Sequence, residues 1–146
     1  MNEIKDILLK YKNIAMIGVS NDSTKASTIV MKYMQKYGYK VYPVNPKAKG
    51  QKILGEEVFE KITDIKDKVD IVNVFRPSKE AFDIAKGAVS IGAKVLWLQL
   101  GIKSKQARKL VEKNNIKYVE DRCTKMEYQK HFLKVRQAFP VLQDQN

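Results

Sequence analysis

Lys12-Asn13-Ile14-Ala15-Met16-Ile17-Gly18-Val19-Ser20 is an apolar run that stops near a glycine and opens into Asn21-Asp22-Ser23-Thr24-Lys25-Ala26-Ser27. The run is too short for a helix, is closed by Gly and hydroxyl residues, and precedes a helical pattern. It reads as a buried strand turning into a helix. At such a turn the first backbone N–H groups of the helix lack partners inside it and point outward with the positive end of the dipole. A phosphate docks there at little cost.

Working outward, Ile4, Ile7, Leu8 and Tyr11 fall at helical spacing and predict a short amphipathic helix ahead of the strand. Behind it, Ala26, Ile29, Val30, Tyr33, Met34 and Tyr37 continue a helix as far as Gly38, and this Tyr and Met stripe reads as core. A second strand, Lys40 to Val44, contains Pro43, which cannot donate to a ladder and suits a central strand poorly. Residues 55–65 are mixed, with room for one short helix. Val69 to Phe75 alternates and gives a third strand that ends in Arg76-Pro77-Ser78. Ser78 then caps a predicted helix carrying Phe82, Ala85 and Val89 and closed by Gly92.

Lys94 to Leu98 is a fourth strand leading into Gln99-Leu100-Gly101. Ser104 caps a helix with Ala107, Leu110 and Val111 inward, and Lys117 to Val119 is a short fifth strand. Thr124-Lys125-Met126-Glu127 fits a reciprocal capping box. It would open a last helix bearing Tyr128, Phe132, Val135 and Phe139, which Pro140 ends before a frayed tail. Strands recurring at roughly 25-residue intervals with helices between most of them are what right-handed parallel crossovers require. The expected fold class is α/β: a Rossmann-like three-layer sandwich whose five-stranded parallel sheet has the order 3-2-1-4-5. One domain over residues 1–146, with its core at about 12–139, is expected from the length.

Composition narrows the function classes. With 44% hydrophobic and 30% charged residues the chain reads as globular, and no window is apolar for long enough to cross a bilayer. Met1 to Asp6 lacks the residue order of a secretory signal, and Cys123 has no second cysteine to pair with, so the expected location is cytoplasmic. A net charge of +12 would suit nucleic acid. The charge is nearly all lysine scattered through every element, however, with only Arg76, Arg108, Arg122 and Arg136 able to make forked contacts. A solvated lysine surface is preferred to a nucleic-acid face.

In a sheet of this order the loops after the strands share one carboxyl edge, and ligands settle where the strand order reverses, here expected between the first and fourth strands. Four loops should converge: 18–27, 44–47, 75–78 and 99–102. The first supplies backbone donors at Gly18 and Val19, the hydroxyls of Ser20, Ser23, Thr24 and Ser27, and the Lys25 ammonium. The second, Val44-Asn45-Pro46-Lys47, supplies a rigid proline wall for a purine and a positive charge. A NAD site asks for G-x-G-x-x-G after the first strand and an acidic residue near the end of the second. Here Gly18 stands alone and Lys47 replaces the acid, which favours a ribose bearing a phosphate, as in NADP or coenzyme A.

Ile14 to Ser20, Tyr42 to Lys47, Val69 to Arg76, Gly92 to Gly101 and Asp121-Arg122-Cys123 together resemble the small stand-alone CoA-binding proteins, similar to the CoA-binding domain of the succinyl-CoA synthetase α subunit. The resemblance covers Lys12 to about Tyr128. It implies that CoA lies across the carboxyl edge. The 18–27 loop would hold phosphate, 44–47 would surround the adenosine and its 3′-phosphate, and Phe75, Arg76, Pro77, Gln99 and Gly101 would flank the rest. Thr124 departs from the family, whose members often have proline after the Arg-Cys pair. The 146 residues also do not include the synthetase domains that carry the phosphorylated histidine, so a non-catalytic binding or regulatory module for CoA or an acyl-CoA is expected.

Two other readings remain: an NADP-dependent reductase or an acyl-CoA enzyme subunit needing a partner, and a nucleic-acid binder. A homodimer is expected by analogy only. His131, the single histidine, reads as a surface or helix-end residue, Cys123 as a small buried thiol, Trp97 as core, and Asp121 and Arg122 as a pair shaping their loop. No residue set has zinc-ligand spacing or forms an identifiable reaction centre.

Overall fold

A computed structural model describes residues 2–133. Val135, Phe139, Pro140 and the expected tail lie outside the described residues. In chain order the elements are α1 (Glu3–Lys10), β1 (Asn13–Ile17), α2 (Ala26–Lys36), β2 (Lys40–Val44), β3 (Lys52–Ile53), β4 (Glu56–Glu57), β5 (Ile71–Val74), α3 (Ala81–Ser90), β6 (Val95–Leu98), α4 (Lys105–Lys113), β7 (Lys117–Val119) and α5 (Thr124–Tyr128). Single 3-10 turns occupy Pro46–Ala48, Ile62–Asp64 and Ser78–Glu80, and a π-helical turn, Gln129–Leu133, follows α5.

The main sheet is parallel throughout and runs β2-β1-β5-β6-β7. Outside β2 the chain returns to make one further parallel bridge, Val44 to Phe59. Counting that bridge as the reduced outer strand gives the expected 3-2-1-4-5 type of order, with β5 in fourth place. The reversal therefore falls between β1 and β5, not next to β6. Pro43 is accommodated because its carbonyl accepts from Phe59 N–H at 3.0 Å, so its nitrogen also faces the outer edge, where no ladder bond is lost. The β3–β4 hairpin, which runs into the mixed segment, was not legible as strand: each arm is two residues long.

Side chains alternate between two cores. Ile14, Met16, Val41, Ile71, Val95 and Trp97 face one way and pack under α1, α2 and α5, while Ala15, Val72, Val74, Leu96 and Leu98 face the other, under α3 and α4. All four residues of β5 and of β6 are buried, as strands covered on both faces must be. Trp97 is fully buried, and its Nε1 donates to the Arg122 carbonyl at 2.7 Å.

Several local expectations give way to tertiary packing. In α2 the buried residues are Ser27, Thr28, Val30, Met31 and Met34, whereas Ile29 is exposed and Tyr33 and Tyr37 are half-buried against Tyr128. In α3 the buried residues are Ala81, Ala85 and Ala88, because helix and sheet approach closely, which leaves Phe82 and Val89 half-buried. Ser78 does not cap α3. Its Oγ accepts from the Lys103 N–H at 3.0 Å and ties two edge loops together. Ser104 does cap α4, accepting from the Ala107 N–H at 3.1 Å.

The capping box at Thr124 is absent. Thr124 is the first residue of α5, and its hydroxyl accepts from Asn73 Nδ2 at 3.1 Å inside the core. Glu127 is buried, 3.3 Å from His131 and 3.8 Å from Arg122. His131 is thus half-buried in the π-helical turn and not at the surface. Cys123 is a buried free thiol, as expected. No helix among the described residues is long and apolar enough to cross a membrane.

Candidate functional site

At the carboxyl ends of β1 and β2, beside the reversal, the loops and α3 enclose a cleft of ≈ 450 Å³, a size usual for small-molecule sites. Gly18, Val44, Asn45, Pro46, Lys47 and Arg76 line it, as sequence analysis expected of ligand-contacting positions. Ile17, Val44, Pro46, Ile62 and Ile84 form an apolar slot, and Lys47 and Lys61 stand exposed around it. At the base α3 comes so close to the Ile62 turn that a Cβ on Gly87 would lie 3.0 Å from Ile62 Cγ2.

Hydrogen bonds hold the first two loops together. The Gly18 N–H donates to Val44 O at 2.8 Å, and Asn45 Nδ2 donates to Val19 O at 2.9 Å. The Asn45 Oδ1 accepts from Lys47 N–H at 3.0 Å and caps the 3-10 turn that Pro46 begins. Asn45 thus braces the wall that carries Lys47. Val19 is fully buried and contributes its carbonyl to this brace, its side chain going to the core.

The rest of the 18–27 loop wraps the start of α2 instead of the cleft. Ser27 Oγ accepts from Ser20 N–H at 3.2 Å, Thr28 Oγ1 donates to Ser20 O, and Ser20 Oγ accepts from Asp22 N–H at 3.0 Å. The Ser20 and Ser27 hydroxyls therefore shape the turn. Ser23 and Lys25 are exposed, Lys25 preceding the first helical residue. Asp22 takes the N–H and hydroxyl of Thr24 at 2.9 and 2.7 Å, and those bonds hold its carboxyl below the usual aspartate range.

On the other side of the reversal, Phe75 is half-buried against the α1/α2 core and Pro77 is exposed. Gln99 is buried, and its Oε1 accepts from the Thr124 N–H at 3.2 Å. Together with Asn73 it forms an internal polar cluster around Thr124. The Gly101 N–H donates to Asp121 Oδ1 at 2.7 Å, so Asp121 shapes its loop, but not by pairing with Arg122, whose guanidinium lies 3.8 Å from Glu127. None of these four candidates lines the cleft.

Ile17, Glu60, Lys61, Ile62, Glu80, Asp83, Ile84 and Gly87 line it without having been anticipated. A signal for half of them was present: Glu80, Asp83, Ile84 and Gly87 are spaced as one helical face. Sequence could not show that this face turns toward the end of β2. Arg76 is held by Glu80, to whose carboxylate Nε and Nη2 donate at 3.0 and 2.7 Å, and these bonds keep the Glu80 carboxyl below the usual glutamate range. Glu60 pairs with Lys49 at 3.2 Å and Asp83 with Lys86 at 3.3 Å. No cluster of metal-ligating side chains occurs among the described residues.

The architecture defines a Rossmann-like α/β protein with an apolar cleft, edged by three cations and three carboxylates, at its sheet reversal. Residues 12–129 match the CoA binding domain family, and the chain belongs to it. Over 124 residues it is 34% identical to the uncharacterised protein YneT of Bacillus subtilis, spanning 85% of this chain and 90% of that one. It is 32% identical over 95 residues to subunit alpha of the ADP-forming acetate–CoA ligase I of Pyrococcus furiosus, covering 62% of this chain and only 21% of that subunit. A solved structure from Thermus thermophilus superposes with a TM-score of 0.86 at 34% identity, over 90% of this chain and all of that one.

Proposed function

We propose that the chain, as a single unit, binds coenzyme A or an acyl-CoA at the carboxyl edge of its sheet and acts as a binding or regulatory module. The observation that carries this reading is the cleft itself: an apolar slot beside a proline, edged by Lys47 and Lys61, at the strand reversal of a CoA-binding-family domain. A purine gains from burial against Val44, Pro46, Ile62 and Ile84, and a ribose phosphate gains from an ammonium held at the end of a braced turn. In this reading Gly18, Val44, Asn45, Pro46, Lys47 and Arg76 contact the adenosine and phosphate end, and the remaining ligand runs along the edge toward Phe75, Pro77, Gln99 and Gly101. Ser23, Lys25 and the opening turn of α2 would meet phosphate on the far side of Gly18.

Calorimetric titration with CoA, dephospho-CoA, NAD and NADP tests it. CoA should bind about tenfold more tightly than dephospho-CoA, and Lys47→Ala should erase that difference. Equal affinity for the two in the native protein would remove the role given to Lys47. Preference for NADP over CoA would instead favour a reductase.

A further inference from the structure

Arg76 reaches the cleft from the end of β5, with its aliphatic stem on Gly18: a Cβ there would lie 2.8 Å from Arg76 Cδ. Its guanidinium presents Nε and Nη2 to the Glu80 carboxylate in a two-pronged pair, and both side chains line the cleft while remaining half-exposed, at 47% and 39%. Of the charged residues lining the cleft, Lys47, Lys61 and Arg76 are balanced by Glu60, Glu80 and Asp83, in a chain whose net charge is +12. Glu60 and Asp83 take their lysines from outside the lining. Glu80 alone takes a cation that belongs to the cleft.

We infer that Glu80 is a built-in stand-in for phosphate, a latch that occupies the forked edge of Arg76 until a polyphosphate ligand displaces it. The inference rests on the CoA reading and names the residue that sets which ligands the site accepts. The pair is two-pronged but half-exposed, so water and salt screen it and a more highly charged anion can displace the carboxylate. A phosphate offers the same two-oxygen geometry with more charge. A ligand that takes the Nε–Nη2 edge of Arg76 must break the pair, and a phosphate replaces what is lost there. The latch thereby disfavours neutral nucleosides and free carboxylates at this position. On release, the Glu80 carboxyl also loses the bonds that hold it below the glutamate range.

The test is a double-mutant cycle on CoA affinity in the full chain, with folding checked by thermal melting, since both side chains are at the surface. Glu80→Gln should tighten CoA binding roughly fivefold by freeing Arg76 and removing a negative charge. Arg76→Gln should weaken binding, and adding Glu80→Gln to it should then restore less than about twofold. Glu80→Gln binding equally or more weakly than the native protein would overturn the latch while leaving the CoA reading intact, because Glu80 would then be orienting Arg76. A full fivefold gain persisting without Arg76 would overturn it too, leaving only general charge relief. Failure of CoA to bind the native protein and Glu80→Gln alike would remove the CoA reading and the latch with it.

Discussion

Gly18 sits at φ +94° with the stem of Arg76 where a side chain would otherwise be. Its N–H also joins β1 to the end of β2. Gly18→Ala would force an L-residue into the left-handed region and push Arg76 aside. A loss of about 1–2 kcal/mol in urea unfolding is expected, together with weaker CoA binding. Unchanged stability and affinity would mean that the turn relaxes around the methyl group. Gly18 was legible as a turn in the sequence; that Arg76 lies over it was not, because 58 residues separate them along the chain. Thr124 is the reverse case. Its spacing from Glu127 imitates a helix cap, yet its hydroxyl goes to Asn73 and Gln99, since buried amide groups compete for any available partner.

Among the elements, α4 followed local rules throughout. Ser104 is its N-cap, Ala107 and Val111 are buried, and Leu110 packs partly buried against the same core. Removing the cap with Ser104→Ala should cost about 1 kcal/mol, measured by chemical denaturation, with CoA affinity unchanged because α4 does not line the cleft. Little change in stability would mean that water or Tyr118, whose hydroxyl already accepts from Ser104 N–H at 3.0 Å, replaces the cap. Helix α3 was legible as a helix, but not in which face it buries. Its contact with the sheet is made by alanines, which carry little hydrophobic signal, while Phe82 and Ile84 remain only partly covered. Close approach selected small residues over large ones.

Across the whole molecule, burial governs the response to alkali. Burial raises the hydroxyl pKa of Tyr39 and Tyr118, and that of Tyr42 is pushed up to about 12 by burial and its bond to Asp67. Folding thus favours the neutral phenols. Their contribution is fully present below the unfolded value of about 10 and is lost as pH rises through the folded values. Ultraviolet titration should show these phenols ionising late, with stability to urea falling above about pH 10; ionisation of all tyrosines near 10 would refute this. Periodicity and punctuation along the chain marked the helices and the five strands of the main sheet, because each depends on neighbours a few residues apart, and their alternation implied parallel crossovers; the β3–β4 hairpin and the place of β5 beside β1 escaped them. Which helix faces turned inward, which loop hydroxyls were spent on the turn itself, and that Glu80 and Ile62 meet Lys47 around one cleft were decided only in three dimensions. Those outcomes depend on the distance between layers and on competition among buried polar groups, and neither is written in the spacing of residues along one strand or helix.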